Sequence, residues 1–333
     1  MKAGHDYSSS IGPLIADYVS LKRALGRGFR GQEYCLRSLD SFLAAYRDGS
    51  RDLDAHSFDA WSKSIAHCCP TVRRHSMILV RSLCLYRRRS EPRCFVPSVE
   101  CFPATSQAIR PHIFTDTEVA RLIRATRKLK VMPFAPLRPA VFRLAIILLY
   151  TTGLRRGELV RLTIGDVDLK ERVLHVRASK FHKSRSVPIL EDSAKEIEVY
   201  LKYRRGFRPH PVPMEPFLTW NVHGPARGYV GSALSRVVQQ LFDTAGIRKR
   251  DGGRPRVHDL RHSMAVNALL RWYRSGADVQ AKLPLLSTYL GHVSIVSTEY
   301  YLHFIDDVAA SASERFAHRY GKLVTARQSR GSR

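Results

Sequence analysis

A proline-rich segment divides this chain into two parts. Residues 91–112 contain four prolines and no helical spacing of apolar side chains, a composition typical of an extended connection. The chain has 333 residues, whereas most single domains have roughly 50–200. We therefore expect two domains, joined by a linker over residues 96–112.

The first part shows only helical periodicity. Apolar residues recur at intervals of three and four, which predicts an all-helical domain over residues 1–95. Arginines flank its last helix without acidic partners at helical spacing, so we expect one side of that helix to bind phosphate groups, through Arg73, Arg74 and Arg81. The periodic apolar positions are Ile15, Tyr18, Leu21, Leu25, Leu36, Leu39, Phe42, Leu43, Met77, Val80, Leu83 and Cys84.

The second part begins with a helix-start signal. Thr115 followed by Glu118 forms a capping-box pattern, and Phe114 and Val119 are placed as a hydrophobic staple,. A core helix follows, and we expect it to end near Gly153.

A single stretch of the second part has the periodicity of a β-hairpin. Residues 173–178 alternate with a period of two, residues 181–184 form a turn, and residues 186–189 supply the second strand,. Helical spacing resumes afterwards. These patterns predict a domain over residues 113–321 that is mainly α with a small antiparallel β-sheet, and a basic tail over residues 322–333.

The charge of the chain favours a polyanionic partner. Lysine and arginine number 55 against 29 aspartates and glutamates, for a formal net charge of +26. An apolar share of 44% argues against a disordered basic tail, so the charge lies on a folded body and nucleic acid is the natural partner.

The spacing of the cysteines and the length of the apolar runs argue against zinc-binding, disulfide-stabilised, membrane-spanning and secreted proteins. Six cysteines occur without C-x-x-C spacing, which indicates neither a zinc site nor a disulfide framework. No apolar run reaches the roughly 18 residues that span a bilayer, and the first residues lack a secretory pattern. We expect a cytoplasmic, nucleoid-associated protein that does not bind membranes.

Two arginines follow the Gly153 turn. Arg155 and Arg156 come directly after it, and Glu158 lies one helical turn beyond Arg155, where it can hold the guanidinium,. A guanidinium fixed in this way suits oxyanion binding. The alternative is an ordinary surface arginine at the start of a helix.

A second basic motif lies at residues 258–262. His258 and Arg261 are three residues apart and share a helix face,. His258 and His262 also have the spacing of a zinc-binding H-E-x-x-H helix, but Asp259 replaces the glutamate and no third ligand is evident. We therefore expect no metal.

Further candidate site residues lie in the predicted hairpin and in the segment around residues 291–301. Lys180 lies where the first hairpin strand ends, and Lys183 is its rival for the hairpin tip. Gly291-His292 follows an apolar helix, and the adjacent Tyr300 and Tyr301 come eight and nine residues after His292.

The order of these elements resembles the tyrosine recombinases, also called phage-type integrases. The family signature is a T-G-L-R-x-x-E-L box, a hairpin lysine, an H-x-x-R box, a G-H box and a tyrosine about nine residues later. The resemblance spans about residues 111–305. The long segment between the H-x-x-R box and Gly291 is similar to that of recombinases carried on transposons and integrating elements. The matching residues are Arg155, Glu158, Lys180, His258, Arg261, Gly291, His292 and Tyr301.

The resemblance implies both an architecture and a set of partners. The helical first domain is similar to the family's core-binding domain, and the two domains together would form a C-shaped clamp around duplex DNA. Double-stranded recombination sites are the expected substrate, bound by a homotetramer, with or without other recombinase subunits. Lys183 and Arg185, beside the hairpin turn, are expected to contact DNA.

The implied reaction is cleavage and rejoining of DNA through a 3′-phosphotyrosine, without cofactor, metal or ATP. Arg155, Arg261 and His292 would stabilise the charged pentacoordinate phosphate. Tyr301 would attack, with its proton accepted by His258. Lys180 would protonate the departing 5′ oxygen. In this scheme Glu158 supports Arg155, and the nine-residue spacing favours Tyr301 over Tyr300.

Two other functions fit the same residues. A type IB topoisomerase uses the same chemistry to relax DNA as a monomer, and an accessory subunit of a recombination complex would bind DNA without cleaving it. The helical pattern at residues 306–320 leaves open whether that segment docks on a neighbouring subunit or folds back on its own domain.

Overall fold

The structure is a computed structural model that describes residues 7–26, 28–46, 52–104, 110–177, 184–292, 294–302 and 304. The chain divides into two compact units, Met1–Ile109 and Arg110–Arg333. No helix in the described ranges is long and apolar enough to cross a membrane.

The described part of the first unit is helical. Most of the predicted apolar positions are buried in one core, which confirms the prediction from their spacing. Leu25 is an exception: it is 61% exposed because α1 ends one residue before it. The helices are α1 (Gly12–Ala24), α2 (Arg30–Ala45), α3 (Ala55–Ser64) and α4 (Pro70–Arg87).

Helix α3 was not predicted from its spacing. It has only ten residues, too few for a clear helical period. Its start is fixed instead by a capping box, in which the Ser57 backbone N donates to Asp54 Oδ1 at 2.8 Å and the Asp54 N donates to Ser57 Oγ at 3.0 Å. The helix contributes Phe58 and Trp61 to the core.

The proline-bearing segment packs onto the first unit. Phe102 is 6% exposed and belongs to the core of the helices, and Phe95 and Val96 pack against the same core. The first core therefore includes residues that composition alone assigned to the linker, because isolated apolar residues there have no helical spacing that would reveal them.

The second unit is mainly helical with one small sheet, as predicted. Its core surrounds α6, in which nine of 15 residues are buried. Helix α8 was not predicted, because its apolar positions are sparse among charged residues. The elements are α5 (Asp116–Ala125), α6 (Arg138–Thr152), α7 (Arg156–Leu159), β1 (Val167–Asp168), β2 (Val173–Val176), β3 (Arg185–Pro188), α8 (Glu191–Arg205), α9 (Gly231–Thr244), α10 (Val257–Arg274), α11 (Val279–Leu290) and α12 (Val296–Glu299).

The capping box at the start of α5 is confirmed. The Glu118 backbone N donates to Thr115 Oγ1 at 3.2 Å, and the Thr115 N donates to Glu118 Oε2 at 2.9 Å. Phe114, just before the cap, is buried, and its backbone N donates to Ser263 Oγ at 2.9 Å. This contact ties the entrance of the second unit to α10.

The predicted hairpin is two strands of a three-stranded antiparallel sheet with the order β1-β2-β3. Leu174 pairs with Val187 and Val176 with Arg185. Leu174, Val176 and Val187 are buried, so the alternation predicted for this stretch places one face on the core. Strand β1 has two residues and shows no alternation that the sequence could reveal.

The end of α6 directs the chain into the candidate site. Gly153 ends the helix at φ 61°, a conformation that glycine adopts most readily. A Cβ at this position would lie 2.9 Å from Leu290 Cδ2. The glycine therefore allows α11 to approach closely and leads into Arg155, the residue that caps α7.

Candidate active site

A buried carboxylate organises the site. Glu158 is 2% exposed, and it accepts hydrogen bonds from the backbone N and Nη1 of Arg155 at 2.8 and 2.9 Å. Arg185 donates to both of its oxygens at 3.0 Å. Burial raises the pKa of Glu158, but the bonds from Arg185 and Arg155 outweigh it and lower the pKa to about 2. The carboxylate is therefore charged at neutral pH.

Two guanidiniums are held beside each other by the turn after α11. Arg155 Nη2 donates to the Gly291 carbonyl and Arg261 Nη2 to the Leu290 carbonyl, each at 2.7 Å. Arg261 also donates from Nη1 to the Gly153 carbonyl at 2.6 Å. Burial, followed by the charge of Arg155, lowers the pKa of Arg261 to about 10. Arg261 therefore stays cationic at neutral pH, and an anion between the two guanidiniums would relieve their repulsion,.

The turn itself requires glycine. Gly291 has φ 66°, and a Cβ there would lie 2.8 Å from Arg185 Nη1. The chain passes over the Arg185 guanidinium at this point and then presents His292. The His292 Nδ1 lies 2.7 Å from Thr298 Oγ1, which fixes the ring. Burial, with the charge of Arg261 next, lowers the pKa of His292 to about 4.

Helix α10 carries a pair of imidazoles. The rings of His258 and His262 pack edge to face with centroids 4.6 Å apart. Burial lowers the pKa of His262 to about 4, and the charges of Arg256 and Arg261 contribute. The pKa of His258 is also lowered, first by burial and then by His262, although His258 keeps an exposed surface. Both rings are therefore neutral at neutral pH.

The predicted nucleophile lies in the site of its own chain. Tyr301 is 2% exposed, and its hydroxyl is 3.1 Å from His262 Nδ1. Its ring is stacked on His292 with a centroid separation of 6.2 Å. Burial raises the pKa of Tyr301, while the charge of Arg261 and hydrogen bonding from its guanidinium oppose this.

Tyr300 has different surroundings. Its ring packs edge to face on Phe304 at 5.2 Å and is only half-buried. The structure thus places Tyr301, rather than its neighbour, against His292 and Arg261. The choice between them on spacing agrees with this geometry, and the role of Tyr301 as a nucleophile stays a prediction.

Six of the residues expected to be catalytic or to support catalysis come together in the part of the chain that the structure describes. Lys180 and Lys183 lie outside the described residues. Arg185, expected to contact DNA, has a side chain that is 11% exposed, and its three nitrogens bind Glu158 and the Tyr289 carbonyl. Its contact with DNA stays a prediction. The residues brought together are Arg155, Glu158, His258, Arg261, His292 and Tyr301.

The arginines expected to bind phosphate on α4 are half-buried. Arg74 Nη1 donates to the Pro103 carbonyl at 2.8 Å, and Arg81 Nη1 donates to the Pro97 carbonyl. These two side chains therefore hold the proline-bearing segment, which sequence periodicity could not reveal. The assignment of Arg73, Arg74 and Arg81 to phosphate binding stays a prediction. For Arg74 and Arg81, a phosphate would have to compete with the backbone carbonyls that they already bind.

Two site residues were missed or given another role. His262 was considered only as a partner of His258 in a zinc site, yet its contact is with Tyr301. Its spacing of four from His258 was the signal, since it placed both rings on one face of α10. Among the described residues no group of three potential metal-binding side chains is found. Arg185 is expected from the sequence only to contact DNA, and its ion pair with Glu158 is an additional role that the sequence did not reveal.

Comparisons with known proteins agree with the motifs. The sequence model of the phage integrase family matches residues 113–307. The "Putative integrase/recombinase y4rB" of Sinorhizobium fredii is 31% identical over 314 residues, which cover 94% of this chain and 98% of y4rB.

Solved structures share the fold. The Tn1549 transposon integrase in complex with transposon right end DNA has a TM-score of 0.62 at 17% identity, and the match covers 91% of this chain and 99% of that one. The lambda integrase tetramer bound to a Holliday junction has a TM-score of 0.59 at 17% identity, over 89% of this chain and 78% of that one. With its family match over residues 113–307, the chain belongs to the phage integrase family, a family of tyrosine recombinases that break and rejoin DNA.

Proposed function

We propose that this protein is a site-specific DNA recombinase that cleaves and rejoins strands through a covalent 3′-phosphotyrosine. The observation that carries the proposal is the convergence of two guanidiniums, three imidazoles and one buried tyrosine hydroxyl from separate segments of the second unit. A tyrosine buried only for packing would not need its hydroxyl beside Arg261 and an imidazole.

The cations of the site suit a phosphodiester under attack. In the transition state, negative charge grows on the non-bridging oxygens. Arg155 and Arg261, held side by side by the Gly291 and Leu290 carbonyls, would donate to these oxygens together with His292. Because the donors are fixed before DNA binds, little reorganisation is needed during the reaction.

Side chains of this protein can accept and donate every proton that the reaction moves, so no external reagent is needed. The Tyr301 oxygen forms a bond to phosphorus, and the bond from phosphorus to the 5′ oxygen breaks. An imidazole of the α10 pair, His258 or His262, takes the phenolic proton, and Lys180 gives a proton to the departing oxygen. The phosphotyrosine conserves the bond energy, so attack by a 5′ hydroxyl from another duplex rejoins the strands without ATP or metal.

The expected substrate is a pair of double-stranded recombination sites bound by a tetramer, and the relatives support this assembly. Lambda integrase has been solved as a tetramer on a Holliday junction, and the Tn1549 integrase with transposon end DNA. The topoisomerase and accessory-subunit alternatives predict different products, namely relaxed plasmid without strand exchange, and no covalent adduct.

The test uses a nicked suicide substrate that carries the cognate site. Such a substrate loses a short fragment after cleavage and traps the adduct, which is seen as a shifted band on a denaturing gel. We expect Tyr301→Phe to abolish the adduct and to retain DNA binding. The matched control is Tyr300→Phe, which should form the adduct at the wild-type rate.

Two further measurements separate the alternatives. Incubation with a chelator should leave cleavage unchanged, and a loss of cleavage would contradict the metal-free reaction. A plasmid with two sites should give recombinant products, whereas supercoil relaxation without site preference would favour a topoisomerase. An adduct that persists in Tyr301→Phe and disappears in Tyr300→Phe would move the nucleophile by one residue.

A further inference from the structure

We infer that His262, one helical turn after the H-x-x-R histidine on α10, is the residue that accepts the proton of Tyr301. This assignment rests on the proposed function and adds a catalytic residue to it. The starting observation is a direct contact, since the Tyr301 hydroxyl lies 3.1 Å from His262 Nδ1. A general base must lie within about 2.6–3.2 Å of the group whose proton it takes.

His262 is better placed for this step than His258. Both rings lie on one face of α10 with centroids 4.6 Å apart, but the hydroxyl contact is made by His262. The rings of His262 and Tyr301 pack edge to face at 5.5 Å, which orients Nδ1 toward the oxygen. His258 keeps an exposed surface, so its ring is free to face DNA.

The surroundings of His262 favour the neutral ring that a base requires. On its own helix the ring is near His258, Arg256 and Arg261; from the turn after α11 it is near His292; and from the end of α12 it is near Tyr300 and Tyr301. Four of these neighbours, His258, Arg256, Arg261 and His292, are cationic or can become so, which opposes a further positive charge on His262. With the phenol as donor, Nδ1 is the acceptor and Nε2 carries the ring proton.

DNA would adjust the strength of this base. A phosphodiester bound between Arg155 and Arg261 brings a negative charge close to the ring, and a nearby negative charge raises the pKa of an imidazole. His262 would therefore become a better proton acceptor when substrate arrives. On cleavage the proton moves from the Tyr301 oxygen to Nδ1 as the bond to phosphorus forms, and on rejoining it returns to the phenolate oxygen that leaves.

The decisive variant is His262→Asn, because an asparagine oxygen can accept the same hydrogen bond but cannot take the proton. Single-turnover cleavage of the suicide substrate should fall by about 10²-fold or more, with DNA affinity unchanged. His210→Asn, an exposed histidine of the same unit, is the control and should cleave at the wild-type rate. Thermal unfolding verifies the fold, and His262→Gln serves as a second variant of the site.

Two chemical rescues distinguish a base from a merely structural residue. Replacing Tyr301 by 3,5-difluorotyrosine gives a more acidic phenol, which depends less on a base, and should restore part of the rate lost in His262→Asn. A substrate with a sulfur in place of the bridging 5′ oxygen needs no acid for its leaving group. It should rescue Lys180→Ala and leave His262→Asn slow.

Each outcome decides the inference. Cleavage by His262→Asn within about threefold of wild type, a rescue by the sulfur substrate alone, or faster cleavage than wild type would overturn it; the last result would make the contact a restraint on the resting nucleophile. These outcomes all require that the wild type forms the Tyr301 adduct. If the wild type forms none, the proposed function fails first, and the two failures are thereby distinguished.

Discussion

Both terminal nitrogens of Arg185 donate hydrogen bonds to the buried carboxylate of Glu158, each at 3.0 Å. Its Nε donates to the Tyr289 carbonyl at 2.9 Å. One guanidinium thus joins the last strand of the sheet, the helix that follows Arg155 and the end of α11. These are the segments that bring the candidate catalytic groups together, so the pair supports the arrangement of the site.

Loss of Arg185 should damage both stability and cleavage. Arg185→Ala leaves Glu158 with Arg155 as its remaining cation, and breaking a buried pair on one side costs about 3–5 kcal/mol. Urea unfolding should show a fall of this order, and residual folded protein should cleave the suicide substrate at least about tenfold more slowly. The control is Lys195→Ala, which removes an exposed pair with Glu191 and should cost less than about 1 kcal/mol.

A side chain at Gly291 should be excluded by the Arg185 guanidinium. Gly291→Ala places a methyl group 2.8 Å from Nη1 at a positive φ, so the turn that carries the two carbonyls must shift. We expect a loss of cleavage together with a lower unfolding temperature.

The matched control for Gly291→Ala is Gly246→Ala. Gly246 has a similar φ of 62° but no atom within 4 Å of an added Cβ, so it reports the backbone cost alone, about 1 kcal/mol. Equal unfolding temperatures and equal cleavage rates in the two variants would contradict the steric account.

The neutral histidines should make the fold sensitive to acid. The pKa values of His262 and His292 are lowered to about 4 by burial, against about 6.5 in an unfolded chain. Below pH 6.5 the unfolded state binds more protons, so the stability present above pH 6.5 should decline as the pH falls toward 4. Urea unfolding at a series of pH values measures this slope.

A variant of one ring tests that explanation. In His292→Asn one titrating group is removed, so the fall in the free energy of unfolding between pH 6.5 and 4 should be smaller than in the wild type. An unchanged slope would show that other groups cause the acid sensitivity.

Binding to duplex DNA should depend steeply on salt. If six or more phosphates are contacted, affinity should fall by about 10³-fold or more between 50 and 200 mM salt. Fluorescence anisotropy with a labelled site measures the slope. A smaller salt slope in Arg73→Ala, Arg74→Ala or Arg81→Ala would show that the replaced arginine contacts a phosphate. An unchanged slope would show that the arginine does not contact a phosphate.

The sequence predicted the elements of this fold where a periodic or capping signal was long enough. The start of α5, the end of α6 at Gly153 and the hairpin followed from local patterns, because caps and alternation act over a few residues. The sequence did not predict helices α3 and α8 or strand β1, because these elements are short or have few apolar positions. The packing of Phe102 on the first core depends on long-range contacts, which no local spacing encodes.

The candidate site shows the same limit. Spacing paired Arg155 with Glu158, which lie one helical turn apart, and the nine-residue interval after His292 that the family resemblance implies favoured Tyr301 over Tyr300. Spacing did not reveal the contact of Arg185 with Glu158 or that of His262 with Tyr301, because these pairs are 27 and 39 residues apart in sequence. These pairings arise from how the sheet, α10 and the end of α12 meet in three dimensions.

The central claim is that Tyr301 becomes covalently joined to DNA, and peptide mapping of the trapped adduct tests it most directly. After nuclease and protease digestion, tandem mass spectrometry should find the residual nucleotide on the phenolic oxygen of Tyr301 in the wild type. We predict that modification at this residue alone. A nucleotide on Tyr300 or on any other side chain, or cleaved DNA without a covalent protein adduct, would contradict the account.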